Sequence, residues 1–383
     1  MKYYIIAGEA SGDLHASNLI KGLIRHDHRA EVRGWGGDLM REAGCTIVRH
    51  YKETAIMGFL TVLKNLGKIQ RNIAACHADI LAWQPDVVIL VDYGGFNLRL
   101  AKLLQGSRIR IFYYISPKIW AWNTGRVKKI KRLIDRMYVI FPFEVDFYAK
   151  YGYTARYAGN PLVDAIGERE YKNETFEEFV TANRLSGKPI IALLAGSRTQ
   201  ELKHVLPKML RMVKQFPDHE FVIAGAPSMS EADYAPYTRG MNIRIVYGQT
   251  YRLVRQARAA LVTSGTATLE TALLRTPQVV CYSGEGGALS YALFKMFVKV
   301  KYISLVNLIA GWEVVTELLM QKLNERNLKR ELSAILPDGA ARTRMLQGYD
   351  EVIQKMGCIG ASDRFASMMI SDLQLHNFSR KEN

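Results

Sequence analysis

The chain has 383 residues, of which 49% are hydrophobic and 23% charged, and a formal net charge of +16. That length suits about two domains rather than one core, and the balance of residues excludes a disordered chain. The charge calls for an anionic partner, for which nucleic acid, an anionic membrane surface and a phosphorylated substrate all qualify.

Tyr3–Ala7 reads as a first buried strand and is too short for a secretory leader. No uninterrupted apolar stretch reaches ~18 residues, which argues against a membrane span. Cys45, Cys76, Cys281 and Cys358 are scattered without a Cys-x-x-Cys pair, as expected of a reducing, cytosolic setting without structural zinc. After the first strand comes the turn Gly8-Glu9-Ala10-Ser11-Gly12-Asp13, then a helical pattern through Leu14, Leu19, Ile20 and Leu23. Strand, Gly-rich turn and helix together let backbone N–H groups approach an anion or a sugar. Glycines there can equally serve packing alone.

Ala55 to Lys68 is apolar over most of a helix circumference, with lysines at its edge. It reads as a core helix or as one lying in a membrane interface. The pattern alone favours the core; at an interface, Met57, Phe59, Leu60, Leu63 and Lys64 would be the candidate acyl or membrane contacts. Leu289 to Val300 has the same character.

Val87–Val91 is an unbroken, mostly β-branched run, as in a central parallel strand covered on both faces. It ends at Asp92, before Gly94-Gly95. Ligands of open α/β sheets sit beyond the carboxyl ends of the strands, so Asp92 stands where a reacting group would. An Asp that merely caps the loop is the alternative. Strands are also predicted at Glu31–Gly34, Ile109–Ile115, Met137–Phe141 and Ala155–Ala158, with helices between them, the alternation of a doubly wound parallel sheet. Arg126, Lys128, Lys129, Lys131, Arg132 and Arg136 form a dense basic run, either a solvated helix face or a surface for anionic headgroups or phosphate.

Asn160-Pro161 and the charged stretch Glu168 to Lys188 mark a boundary. The pattern restarts with Pro189–Ala195 and continues through strands at Glu220–Ala224, Ile243–Val246, Ala259–Val262 and Gln278–Tyr282. The expectation is an α/β chain of two Rossmann-like doubly wound domains facing across a cleft, residues 1–165 and 166–339. From Glu313 onward the reading is helical, with helices of 340–383 packing back on the first domain or on a partner chain.

The second half offers two anion-binding turns. Gly196-Ser197-Arg198 closes one strand, and Arg198 presents a planar fork suited to a diphosphate. Pro207 interrupts the pattern that follows, so the main helix is expected to begin near it. Ser264-Gly265-Thr266 lies between a strand and a helix, where hydroxyls and free N–H groups could hold phosphate oxygens. Glu270, one turn on, could accept both ribose hydroxyls of a nucleotide. The plain alternatives are a surface Arg in a turn and an ordinary helix cap.

Several stretches in series resemble the lipid A disaccharide synthase family: Gly8–Asp13, Val91–Asn97, Tyr114-Ile-Ser-Pro-Lys-Ile-Trp-Ala-Trp122, Phe141–Glu144, Gly159–Pro161, Gly196–Arg198, Ser264–Glu270 and Tyr302–Leu308. The Ser-Pro-x-x-Trp-Ala-Trp string is the most specific of them. One departure is visible, because Gly95 stands where the family often has a second Asp. Asp92 stays in register.

The resemblance implies a GT-B glycosyltransferase that joins UDP-2,3-diacylglucosamine to 2,3-diacylglucosamine 1-phosphate, releasing UDP and a β-1′,6-linked disaccharide. Asp92 would take the proton of the acceptor hydroxyl, with inversion at the anomeric carbon. Arg198 and the Ser264-Gly265-Thr266 turn would stabilise the departing UDP. Glu9, Ser11 and Asn307 match family positions associated with the substrate site. No Asp-x-Asp clamp stands in a suitable turn, so no metal or other cofactor is expected. The resemblance also implies a peripheral enzyme on the inner face of the inner membrane, and a possible homodimer. Rival readings are a UDP-sugar 2-epimerase or N-acetylglucosaminyltransferase of the same architecture, and a basic nucleic-acid-binding protein. The last lacks a zinc finger, an RNA-binding aromatic signature and a basic tail, so no nucleic acid partner is expected.

Overall fold

The computed structural model describes residues 1–54, 66–122, 125–284 and 301–375. Met57, Phe59, Leu60, Leu63, Lys64 and the 289–300 stretch lie outside them. Two compact units form, one from Met1–Asp164 with Gly357–Asn383, the other from Ala165–Met356.

In the first unit, seven parallel strands lie in the order β3-β2-β1-β4-β5-β6-β7. They are β1 (Lys2–Ala7), β2 (Glu31–Gly36), β3 (Thr46–His50), β4 (Val87–Val91), β5 (Arg110–Tyr114), β6 (Arg136–Val139) and β7 (Ala155–Tyr157). The sheet is covered on both faces. Tyr4, Ile6, Val88, Leu90, Ile111 and Tyr113 point into one core. Tyr3, Ile5, Ala7, Val87, Ile89, Val91, Phe112 and Tyr114 point into the other. Strands buried on two sides need apolar residues at every position, which is why β4 carries no polar alternation.

The second core is closed by Phe365, Ala366, Met369 and Ile370 of the helix Ala361–Gln374. That helix packs along the helix Ala10–His26 so closely that a Cβ on Gly22 would stand 2.8 Å from the Ala366 methyl. Asp164 holds its start, accepting from the N–H groups of Gly360 (2.7 Å), Ala361 (3.1 Å) and Ser362 (3.0 Å). Buried Asp372 holds its end, accepting from the Tyr138 hydroxyl (2.6 Å) and pairing with Arg156 (2.8 Å). The preceding helix Arg342–Met356 belongs to the second unit. The chain therefore returns to the first unit after residue 356 rather than after 339.

The second unit has six parallel strands in the order β10-β9-β8-β11-β12-β13. They are β8 (Ile190–Leu194), β9 (Glu220–Gly225), β10 (Arg244–Tyr247), β11 (Ala259–Thr263), β12 (Gln278–Tyr282) and β13 (Glu317–Leu319). β13 is a three-residue strand in the stretch after Glu313, which reads from sequence as helical and short on strands. A correction concerns Pro207. The helix starts at Thr199, directly after Arg198, and runs to Leu210 with Pro207 inside it. Its buried face of Leu202, Val205, Leu206, Met209 and Leu210 outweighs the one backbone hydrogen bond that proline forgoes. Among the described residues, no helix is long and apolar enough to cross a membrane.

Candidate active site

In the first sheet the strand order reverses between β1 and β4. The helix after one strand and the helix after the other leave on opposite faces, which opens a crevice at the carboxyl edge. Register aligns Ala7 with Val91, and Val91 with Tyr114. The turns Gly8-Glu9, Asp92-Tyr93 and Ile115-Ser116 therefore emerge side by side.

The Asp92 turn is held in a conformation that its residues do not favour. Asp92 (φ 44°) and Tyr93 (φ 47°) are both left-handed, although neither is glycine. Such a residue costs of order 1–3 kcal/mol and persists only where its surroundings impose it. Here the surroundings do. The Asp92 carbonyl accepts from the Asn97 amide (2.8 Å) and the Tyr113 hydroxyl, and the Asp92 N–H donates to the Tyr114 carbonyl (3.1 Å). The Tyr93 ring stacks on Phe96, with centroids 5.3 Å apart, and lies so near Gly8 that a Cβ there would meet it at 2.4 Å. Gly94 in turn abuts Pro117, 2.8 Å from where its Cβ would be. Gly8 and Gly94 are thus sites of close approach rather than anion cradles.

The Asp92 carboxyl is partly buried, and that burial pushes its pKa up; the Lys118 ammonium opposes the shift, Glu9 adds to it, and the Tyr93 backbone N–H opposes it. Lys118 also faces Glu144, whose complete burial raises it to about 8 against the Phe141 N–H, the Trp120 indole, the Ile140 backbone and Lys118. Trp120 Nε1 lies near that carboxylate without completing a hydrogen bond of good geometry. Burial thus disfavours the charged form of Glu144, which shares Lys118 with Asp92. Glu9 and Ser11 are exposed on the neighbouring turn, whereas Asp13 is buried and accepts from the N–H groups of Gly37 (2.7 Å), Leu39 (3.2 Å) and Met40 (3.2 Å). Asp13 is a helix anchor, not a reactant.

A base needs its charged form, so activity should rise with pH through the Asp92 pKa, above the usual carboxylate range. Two substitutions should move that acid limb in opposite directions. Lys118→Met removes the opposing cation and should shift it to higher pH. Glu9→Gln removes a like charge and should shift it to lower pH. Profiles of kcat/KM against pH decide the matter, and parallel shifts in the two variants would show that Asp92 is not the group titrating.

The second sheet reverses between β8 and β11. Leu194 pairs in register with Val262, which sets the Gly196–Arg198 and Ser264–Thr266 turns on the same edge. Gly196 is left-handed (φ 101°) and hugs Glu201, whose carboxylate already accepts from the Ser197 N–H (2.9 Å). Arg198 is exposed at the start of the helix Thr199–Leu210 and pairs with no carboxylate among the described residues. Gly265 and Thr266 are exposed at the head of the helix Thr266–Leu273, and nothing lies within 4 Å of where a Gly265 Cβ would be. Glu270 is partly buried, which raises its pKa, and it accepts at 3.4 Å from the Tyr251 hydroxyl.

Asn307 makes its described contacts inside the second unit. It is fully buried; its amide NH₂ donates to the Val315 carbonyl and to Glu317 (both 2.9 Å), and its Oδ1 accepts from the N–H groups of Val314 (2.8 Å) and Val315 (3.0 Å). All four hydrogen-bonding positions of an asparagine side chain are thereby filled. Glu317 also accepts from the N–H groups of Ile303 (3.0 Å) and Ser304 (2.9 Å), and Ser264 Oγ donates to the Ile303 carbonyl (3.3 Å). Asn307 and Glu317 therefore brace the loop that carries Ser264's partner. Sequence reading missed Glu317 and gave Lys118 no role, although Lys118 lies inside the Ser-Pro-x-x-Trp-Ala-Trp string.

A sequence model of the family described as lipid-A-disaccharide synthetase matches residues 3–364. The chain belongs to the lipid-A-disaccharide synthase family. It is a glycosyltransferase with two parallel-sheet α/β domains of the GT-B class, as the sequence motifs implied. The synthase of Geobacter metallireducens is 36% identical over 375 residues, with 96% of each chain covered. That of Anaeromyxobacter dehalogenans (strain 2CP-C) is 37% identical over 374 residues, again with 96% of each covered. Among solved structures, a putative UDP-N-acetylglucosamine 2-epimerase from Listeria monocytogenes superposes with a TM-score of 0.65 at 14% identity, covering 100% of this chain and 98% of its own. The 2-epimerase of Methanocaldococcus jannaschii, solved with UDP-GlcNAc and UDP, gives 0.61 at 13% identity, covering 97% and 100%. A calicheamicin glycosyltransferase gives 0.58 at 13% identity, covering 98% of each chain. At such identities these neighbours speak for the fold alone.

Proposed function

We propose that Asp92 is the general base of an inverting transfer from UDP-2,3-diacylglucosamine to the 6-hydroxyl of 2,3-diacylglucosamine 1-phosphate. The acceptor oxygen bonds to the anomeric carbon from the face opposite UDP, its proton passes to Asp92, and the bond from the anomeric carbon to UDP breaks. One base suffices because no covalent intermediate forms. The observation that carries this reading is the partly buried Asp92 carboxyl, pinned in a strained turn at the switch point of its sheet, with Lys118 beside it. Arg198 and the N–H groups at the head of Thr266–Leu273 take the charge of the departing UDP, and Glu270 is the candidate partner of the ribose.

No divalent ion enters the proposed reaction. The purified protein with both substrates should release UDP and the disaccharide 1-phosphate in equal amounts, at a rate that a chelator leaves unchanged. Release of UDP without disaccharide would overturn the transferase reading, and loss of rate on chelation would overturn the metal-free one. Docking to an anionic bilayer is proposed from the +16 charge and the acylated substrates. It should appear as salt-sensitive sedimentation with anionic vesicles, and binding indifferent to salt would exclude it.

A further inference from the structure

The helix that leaves the Asp92 turn, Gly94–Leu103, packs beside the helix Arg126–Leu133. The second helix is two-sided, with Val127, Ile130 and Leu133 buried and its basic residues outward. Arg99 and Lys102 are exposed on the first helix, Arg132 is exposed on the second, and Arg126 and Lys129 are partly buried there. Burial, and then the charges of Lys102, Arg126, Arg99 and Arg132, push the Lys129 ammonium below its ordinary value. Five cations from two helices thus gather around one point. Among the described residues, Arg99, Lys102, Lys129 and Arg132 pair with no carboxylate, so mutual repulsion is left uncompensated.

The cluster has a direction. Arg126 lies near enough to the Tyr113 hydroxyl to act on its ionisation, and that hydroxyl donates to the Asp92 carbonyl. Arg99 is five residues into the helix from Gly94, roughly 8 Å along its axis at 1.5 Å per residue. Helix side chains lean toward the N-terminus, which here is the Asp92 turn. The cluster therefore begins close to the turn that carries the proposed base.

We propose that Arg99, Lys102, Arg126, Lys129 and Arg132 form the subsite for the 1-phosphate of the acceptor sugar. This rests on the reading of Asp92 as the base that takes the proton of that sugar's hydroxyl. A phosphate monoester carries between one and two negative charges at neutral pH and offers three acceptor oxygens, which suits forked guanidinium groups and flexible ammonium groups converging on one point. A bilayer surface would need no such convergence. Lys128 and Lys131, also exposed on that helix, are left out of the subsite and are the candidates for contact with a bilayer.

The test uses the full chain and two double variants, Arg99→Ala with Lys102→Ala, and Lys129→Ala with Arg132→Ala. In detergent micelles, each should raise the KM for the phosphorylated acceptor at least about tenfold and leave the KM for the UDP-sugar unchanged. With an acceptor that lacks the 1-phosphate, wild type and variants should be equally poor. Unchanged KM, equal losses on both acceptors, or a loss seen on anionic vesicles but not in micelles would each overturn the subsite, the last in favour of membrane docking. Titration with glucosamine 1-phosphate needs no turnover. Binding by the wild type that both variants lose supports the subsite even if no disaccharide forms, in which case only the transferase reading falls. Binding that survives in the variants overturns the subsite.

Discussion

Asp92→Asn should lower kcat by about 10²-fold or more and leave UDP affinity unchanged, because a positioned base contributes on that order to the rate. The substitution is informative because asparagine tolerates the left-handed backbone found at this position. The carbonyl bonds from Asn97 and Tyr113 do not involve the side chain, so the turn should keep its shape. Folding stability should hold or rise slightly, since a partly buried charge that Glu9 repels is removed. Rate assays with a UDP titration and thermal unfolding check all three parts. Near-normal turnover would remove Asp92 as the base. A fall in stability would show that the carboxylate itself is needed to hold the turn.

Asn307→Ala should cost about 3 kcal/mol or more of stability, since each buried group left without its partner costs roughly 1–3 kcal/mol. The variant would orphan the Val315 N–H and carbonyl, leave the Val314 N–H only its bond to the Trp312 carbonyl (3.1 Å), and take one donor from Glu317. Activity should fall with the unfolding of the 303–317 region and recover in part at lower temperature. Denaturant unfolding alongside activity separates this from direct substrate contact. If activity vanished while stability stayed intact, Asn307 would have to reach the substrate by exchanging one of its internal partners. With two units, more than one transition is expected, and the one that shifts should belong to the second.

Most of the fold was legible because doubly buried strands announce themselves. β4, β8 and β11 are apolar at nearly every position, and each is followed by a turn residue. β3 was not legible, since Thr46-Ile-Val-Arg-His50 is short and polar at both ends, as befits an edge strand. β13 has three residues, too few for a period to show. Asp92, Arg198 and Ser264 could be placed from strand ends alone. Asn307 could not, because a motif position does not say where an amide's four hydrogen bonds go. Glu317 and Lys118 escaped for a related reason. Their importance lies in partners 10 to 26 residues away, which only the tertiary arrangement brings near.

The Asp164 carboxylate and the Ala361 N–H that it holds are 197 residues apart in the chain. During synthesis the amino-terminal sheet leaves the ribosome early, with one of its two faces still lacking Phe365 and Met369. The second unit, whose last helix ends at Met356, is synthesised before the residues that cover that face. The half of the enzyme that is translated first is thus the half that finishes folding last, and until then its bare face is a natural target for chaperones.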